Sequence, residues 1–297
     1  CALPIFQRIP ACWRLMTTTI YIVFFTGTAA YLAAALAVVV YMTRGGNRWL
    51  LLAGGCCLAG AAGYLAALIV RGMHWGQLPL TSMTDGLSLF AIAATLFTLA
   101  VAWRDRVPEL LCFFVPPLAL VCLVMSFAAP RALATPPEPL LTVPLALHAG
   151  SAFLAYTLFF LASMASAAYL FQAQRLKHHK TGRLFHRLPA LEKLDRSLYR
   201  FTAYGCALFL LSLALGLLWA WLDNELLGPQ WWLSPKVALA WVAAAFFVGV
   251  VLARRYRGLR GPRLAYLILG GFSSLFLLYL VLAIARWRTL NFWGAGG

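Results

Sequence analysis

Acidic residues are scarce: Asp and Glu together number 8 in 297 residues, and charged residues of both signs make up 11%. Soluble domains carry about 25% charged residues, so an ordinary soluble enzyme or binding module is excluded. The 7 cysteines (Cys1, Cys12, Cys56, Cys57, Cys112, Cys122 and Cys206) contain no Cys-x-x-Cys pair. They read as small hydrophobes, neither a disulfide framework nor a metal site. No span holds a pair of carboxylates, no glycine-rich phosphate loop follows a strand, and topology unites no Ser–His–Asp set. A self-contained catalytic constellation is therefore absent, and no catalytic residue is assigned. Spans without ionisable groups also argue against an ion-coupled transporter, which keeps such groups at midplane. Asp85 and Glu109 fall at span ends, where solvent or a helix N-terminus satisfies a carboxylate.

What is present is apolar. Hydrophobic residues make up 63% of the chain, and apolar runs of about 18 residues recur, each able to cross a bilayer core of about 30 Å. The fold expected is all-α, a polytopic integral membrane bundle of about 8 transmembrane helices. The spans are drawn at 19–42, 49–70, 85–103, 109–128, 145–172, 202–222, 236–253 and 264–285. Residues 1–15, ahead of Met16, read as an N-terminal extension, and 16–297 as one transmembrane domain. Gly54-Gly55, Gly60-Ala-Ala-Gly63 and Gly270-Gly271 would let helices approach closely.

The net charge of +16 is confined to connections between spans, which points to topology and not to nucleic acid. Anionic lipid headgroups are the second reading of the same loops. Of the 24 Lys and Arg, 17 fall on one side: Arg44, Arg48, Arg104, Arg106, eight within 175–200, and five within 254–263. The positive-inside rule places that side in the cytoplasm and both termini outside. The loops 71–84, 129–144 and 222–236 then face outward.

Those outer loops hold the unusual residues. Trp219, Trp221, Trp231 and Trp232 lie within 14 positions. Two readings are open: an interfacial belt, or a flat apolar platform for a planar ligand. His74, beside Trp75, is an interfacial histidine or a ligand. His178, His179 and His186 lie in the basic inner loop, where solvation or lipid contact is the default. His148 differs, because an ionisable side chain at the mouth of a membrane helix is a functional candidate. A neutral imidazole there could bind a metal, and iron porphyrin would suit the aromatic surroundings. Ahead of span six, Leu188, Leu191, Leu194 and Leu198 recur at steps of three and four. That spacing predicts an amphipathic helix lying along the inner surface without crossing.

Four stretches carry a family resemblance: Gly76-Gln-Leu-Pro-Leu-Thr-Ser-Met-Thr-Asp85, Leu147-His-Ala-Gly-Ser-Ala-Phe153, Leu188-Pro-Ala-Leu-Glu-Lys-Leu-Asp-Arg196 and Arg257-Gly-Leu-Arg-Gly-Pro-Arg263. Over about residues 70–290 the chain resembles the cytochrome c assembly membrane proteins, the haem-handling family that includes CcsA (ResC), CcmC, HemX and YpjD. The third stretch is most similar to the CcsA-like branch. The run Leu227-Gly-Pro-Gln-Trp-Trp-Leu-Ser-Pro-Lys236 resembles the family's Trp-Gly-x-x-Trp-x-Trp-Asp-Pro-Lys signature. It departs at Leu227, Leu233 and Ser234. Asn291 stands where a second external histidine would be, and a carboxamide is a poor iron ligand beside imidazole.

The resemblance implies haem presented on the outer face of a bacterial inner membrane during c-type cytochrome biogenesis. It implies His148 as an axial ligand, Trp231 and Trp232 as the platform and Lys236 as a propionate partner; topology adds His74 as the other outer-face histidine, able to substitute as a ligand. It also implies apocytochrome c as client and a CcsB-like or other membrane subunit as partner, within a cytochrome c haem lyase whose chemistry this chain does not hold alone. The alternatives are a HemX-like non-catalytic scaffold or regulator, and a structural subunit of a membrane complex that has lost haem.

Overall fold

A computed structural model describes residues 11–76, 83–134, 143–178, 190–222 and 235–288. In chain order the helices are α1 (Ala11–Arg44), α2 (Asn47–Trp75), α3 (Met83–Arg104), α4 (Leu111–Ala134), α5 (Val143–Lys177), α6 (Leu191–Leu222), α7 (Pro235–Arg257) and α8 (Pro262–Arg288). A 3-10 turn, Pro108–Leu110, precedes α4, and no strand occurs among the described residues. The helices α1 to α7 are long and apolar enough to cross a membrane, and α8 is apolar over Pro262–Leu278. The chain is thus a multi-pass helical membrane bundle. Hydrocarbon offers backbone groups no partner, and a helix satisfies them within the segment.

Tight turns join two of the helix pairs in the described residues. Gly45 and Gly46, at φ 81° and 94°, reverse the chain between α1 and α2, and Gly258 and Gly261, at 65° and 73°, do so between α7 and α8. Positive φ is strained for residues with a Cβ and accessible to glycine. The helix α1 begins at Ala11, ahead of Met16.

Packing between α1 and α2 is backbone-close. A Cβ on Gly63 would come within 3.0 Å of Gly27 Cα, and one on Gly60 within 2.7 Å of the Tyr31 ring. Small residues let membrane helices touch in this way. Gly271 likewise receives the Phe246 ring and Gly54 meets Leu99, whereas Gly55 and Gly270 face open space. Hydroxyls buried by this packing bond across helices. Thr28 and Tyr64 oxygens lie 3.0 Å apart, and Tyr31 reaches Thr95 at 2.8 Å and the Ala91 carbonyl at 3.2 Å. Each such bond contributes on the order of 0.6 kcal/mol within a bilayer. The cysteines Cys57, Cys112, Cys122 and Cys206 are buried outside any disulfide, and Cys56 is half-buried, in keeping with small hydrophobes in an apolar setting.

Two expectations need correction. The stretch before span six is no separate surface helix, because α6 runs unbroken from Leu191, and Leu194 and Leu198 are completely buried in the main core. Leu194 and Leu198 of its apolar stripe pack on protein instead of lying on lipid, and Leu188 lies outside the described residues. The second concerns Asp85, read as a span-end carboxylate satisfied by solvent or a helix N-terminus; it does stand in the first turn of α3, but solvent is not its partner. It is buried and forms an ion pair with Arg71 of α2, whose side chain is also fully buried. A charge removed from solvent needs such a partner.

The core falls into two clusters. The larger draws on all eight helices, with Val250 as its buried member on α7; the smaller sits between α5, α6 and α7 around Phe159, Phe209 and Phe247. Phe159 stacks on Phe247 with centroids 3.9 Å apart. This second cluster fixes α6 against α5 and so sets the site described next.

Candidate functional site

His148 lies in the second turn of α5, half-buried against α6. The two helices run antiparallel. On α6, Gly205, Phe209, Ser212 and Gly216 recur at steps of three and four, which places them on one face. Gly205 admits the Phe159 ring, and Gly216 admits the His148 imidazole, where a Cβ would lie 2.8 Å from both Cε1 and Nδ1. His148 Nδ1 is 2.7 Å from the Ser212 carbonyl oxygen and 3.1 Å from Ser212 Oγ. The Ser212 hydroxyl donates back to the His148 carbonyl at 3.1 Å.

This geometry decides the tautomer. A carbonyl oxygen only accepts, so Nδ1 carries the hydrogen in the neutral ring. Nε2 is then the basic nitrogen, and it makes no hydrogen bond to the described residues. A ring whose Nδ1–H is held by a backbone carbonyl, with Nε2 open, is the arrangement that orients a metal-ligating histidine.

His74 stands in the last turn of α2, edge-on to Trp75 with ring centroids 4.8 Å apart. It shares one end of the bundle with His148. The link runs through α3: Asp85 pairs with Arg71, and the neighbouring Gly86 leaves room for the Phe153 ring of α5. Trp231, Trp232, Ser234 and Asn291 lie outside the described residues. Lys236 belongs to the first turn of α7, the next described helix after α6 ends at Leu222. Among the described residues no cluster of three or more His, Cys, Asp or Glu could hold a metal ion. A single imidazole is therefore what the described site offers.

A family model for the cytochrome C assembly protein matches residues 49–287. The chain belongs to that family. Membership supports a role in cytochrome c biogenesis, and it spans α2 to α8, including the whole α5–α6 interface. Among relatives of this cytochrome c assembly protein, Protein HemX of Brevibacillus brevis is 30% identical over 65% of this chain and 69% of its own. Protein HemX of Bacillus subtilis is 28% identical over 63% and 67%. Cytochrome c biogenesis protein CcsA of Prochlorococcus marinus is 27% identical over 72% and 76%. No solved structure matches.

The family is associated with haem handling, and the residues fit one axial contact. Nδ1 is engaged, Nε2 bonds to none of the described residues, and the glycine notch holds the ring. Sequence reasoning missed Ser212 and Gly216. The available signal was a Ser-x-x-x-Gly step in α6, facing a histidine near the start of α5. It also missed the clamp at the opposite end, where Asp195 of α6 binds Arg254 of α7. That contact unites the Leu188–Arg196 and Arg257–Arg263 stretches, since the Gly261 N–H donates to Asp195 at 3.3 Å.

Proposed function

We propose that this cytochrome c assembly family member holds haem on the outer face of a bacterial inner membrane and presents it to apocytochrome c. The observation that carries the reading is the His148 ring, held through Nδ1 by the Ser212 carbonyl with Nε2 open. In this reading Nε2 is the axial ligand. Trp231 and Trp232 form the apolar platform, and Lys236 pairs with a propionate. His74, at the same end of the bundle, is the second histidine able to reach the iron. Haem is cargo here; what the chain supplies is one ligand, an apolar bed and exclusion of water. The 17-to-7 division of basic residues supports the outward orientation. Covalent attachment takes place on the client's cysteines, and a CcsB-like membrane subunit completes the machinery, with anionic lipid at the basic inner rim. An absorbance spectrum of the purified protein in detergent, before and after adding haem, tests this: a Soret band is expected, and none after reconstitution overturns it.

A second reading has its own support. The HemX relatives, with Ser234 and Asn291 at the aspartate and histidine positions, favour a HemX-like scaffold or regulator without catalysis. It is the reading left standing by a protein that takes up no haem.

A further inference from the structure

We infer that Ser212 and Gly216 of α6 are positioning residues that form a socket for His148, fixing its imidazole in the Nδ1–H form so that Nε2 faces the ligand. The inference rests on the reading that His148 holds haem, but its first consequence is visible without haem.

In an α-helix the Ser212 carbonyl accepts the N–H of residue 216. The His148 Nδ1–H reaches the same oxygen at 2.7 Å, using its second lone pair. A side chain approaching that oxygen must pass over residue 216, whose Cβ would tilt back toward it. Glycine leaves the path open; a Cβ there would sit 2.8 Å from Nδ1 and Cε1. The ring could not stay in place, and its bond to the Ser212 carbonyl would break. The Ser212 hydroxyl closes the socket from the other side. It gives its one hydrogen to the His148 carbonyl at 3.1 Å, which leaves an oxygen lone pair toward Nδ1 at 3.1 Å. Two helices are thereby tied at one point by reciprocal bonds, and the imidazole has a single tautomer and a single face toward the site.

The test uses haem-free protein in detergent at mildly alkaline pH, with 15N-labelled histidine. The His148 signal is assigned by its loss in His148→Gln. The expected result is the Nδ1–H form in the unsubstituted protein; an Nε2–H form overturns the inference whatever the variants do. Gly216→Ala should shift the signal toward a mixture of tautomers and weaken haem binding by about 10-fold or more, the size of an outer-shell change at a metal ligand. Ser212→Ala keeps the carbonyl, so it should retain the Nδ1–H form with a smaller loss of affinity. Gly249→Ala on α7, where nothing lies within 4 Å, serves as the control for a glycine change. Unaltered tautomer and haem affinity in a folded Gly216→Ala protein would refute the socket while leaving the haem reading intact. The Nδ1–H form in a protein that takes up no haem would support the socket and remove the haem reading.

Discussion

Asp195 of α6 accepts both terminal guanidinium nitrogens of Arg254 of α7, at 3.1 and 2.7 Å. The Arg254 guanidinium also lies over the Tyr199 ring, 5.0 Å from its centroid, and Asp195 takes the Gly261 N–H. One carboxylate thus joins α6, α7 and the turn into α8. A bidentate pair with a third donor is geometrically specific in a way that a single surface pair is not. Asp195→Asn and Arg254→Ala should each lower stability by about 1–3 kcal/mol. That is less than the 3–5 kcal/mol of a fully buried pair, because both side chains keep some exposure. Thermal unfolding in detergent reads the change, and the double variant should lose little more than either single one.

The Arg71–Asp85 pair makes a sharper demand, because both side chains are buried. Removing one partner takes the buried counter-charge from the other, so Asp85→Asn or Arg71→Met should cost about 3–5 kcal/mol. The apolar double variant Arg71→Met with Asp85→Leu should recover part of that loss. Yield of monodisperse protein and its unfolding temperature decide the matter. A double variant that loses the sum of both single effects would show the two residues acting independently.

The span pattern was legible in the sequence because bilayer length and hydropathy are properties of one segment. The stretch read as 49–70 is helical over Asn47–Trp75, and 145–172 over Val143–Lys177. The helices overrun the apolar cores because their polar ends continue past the hydrocarbon. His148 stood out for the same reason, as an imidazole near the mouth of a membrane helix. What depends on two helices together was hidden. Ser212, Gly216 and Arg71 carry no signal until the facing residue is known, and Leu194 looks the same whether it meets lipid or Leu198's neighbours in the core.

The α1–α2 contact predicts a local asymmetry between glycines of one helix. Gly63 faces the Gly27 backbone, which has no side chain to move aside, whereas Gly55 faces open space. Gly63→Val should lower the unfolding temperature, with a cost of about 1–3 kcal/mol as in other overpacked contacts. Gly55→Val should leave it unchanged. Equal effects at the two sites would show that the helices do not meet at Gly63.

The proposed orientation rests on charge alone and is tested separately. In a background lacking native cysteines, Gln230→Cys should label from outside intact cells and Lys180→Cys should be protected. The reverse pattern would put the tryptophan loop inside and remove the delivery argument.

Asn291 leads to a spectroscopic expectation. With one imidazole ligand, bound iron should be five-coordinate or carry a weak sixth ligand such as water, and added imidazole should bind readily. Asn291→His should move the spectrum toward a low-spin bis-histidine form. An already low-spin bis-histidine spectrum in the unsubstituted protein would identify His74 as the second ligand, a role that His74→Ala should then abolish.

The central claim, that His148 holds the cargo, is tested most directly by the haem content of His148→Ala. The variant removes the imidazole but leaves the Ser212 hydroxyl and the α5 helix in place. It should fold as the parent does and show no Soret band under conditions where the parent shows one. A His148→Ala protein that retains the parent's haem content and spectrum would contradict the account.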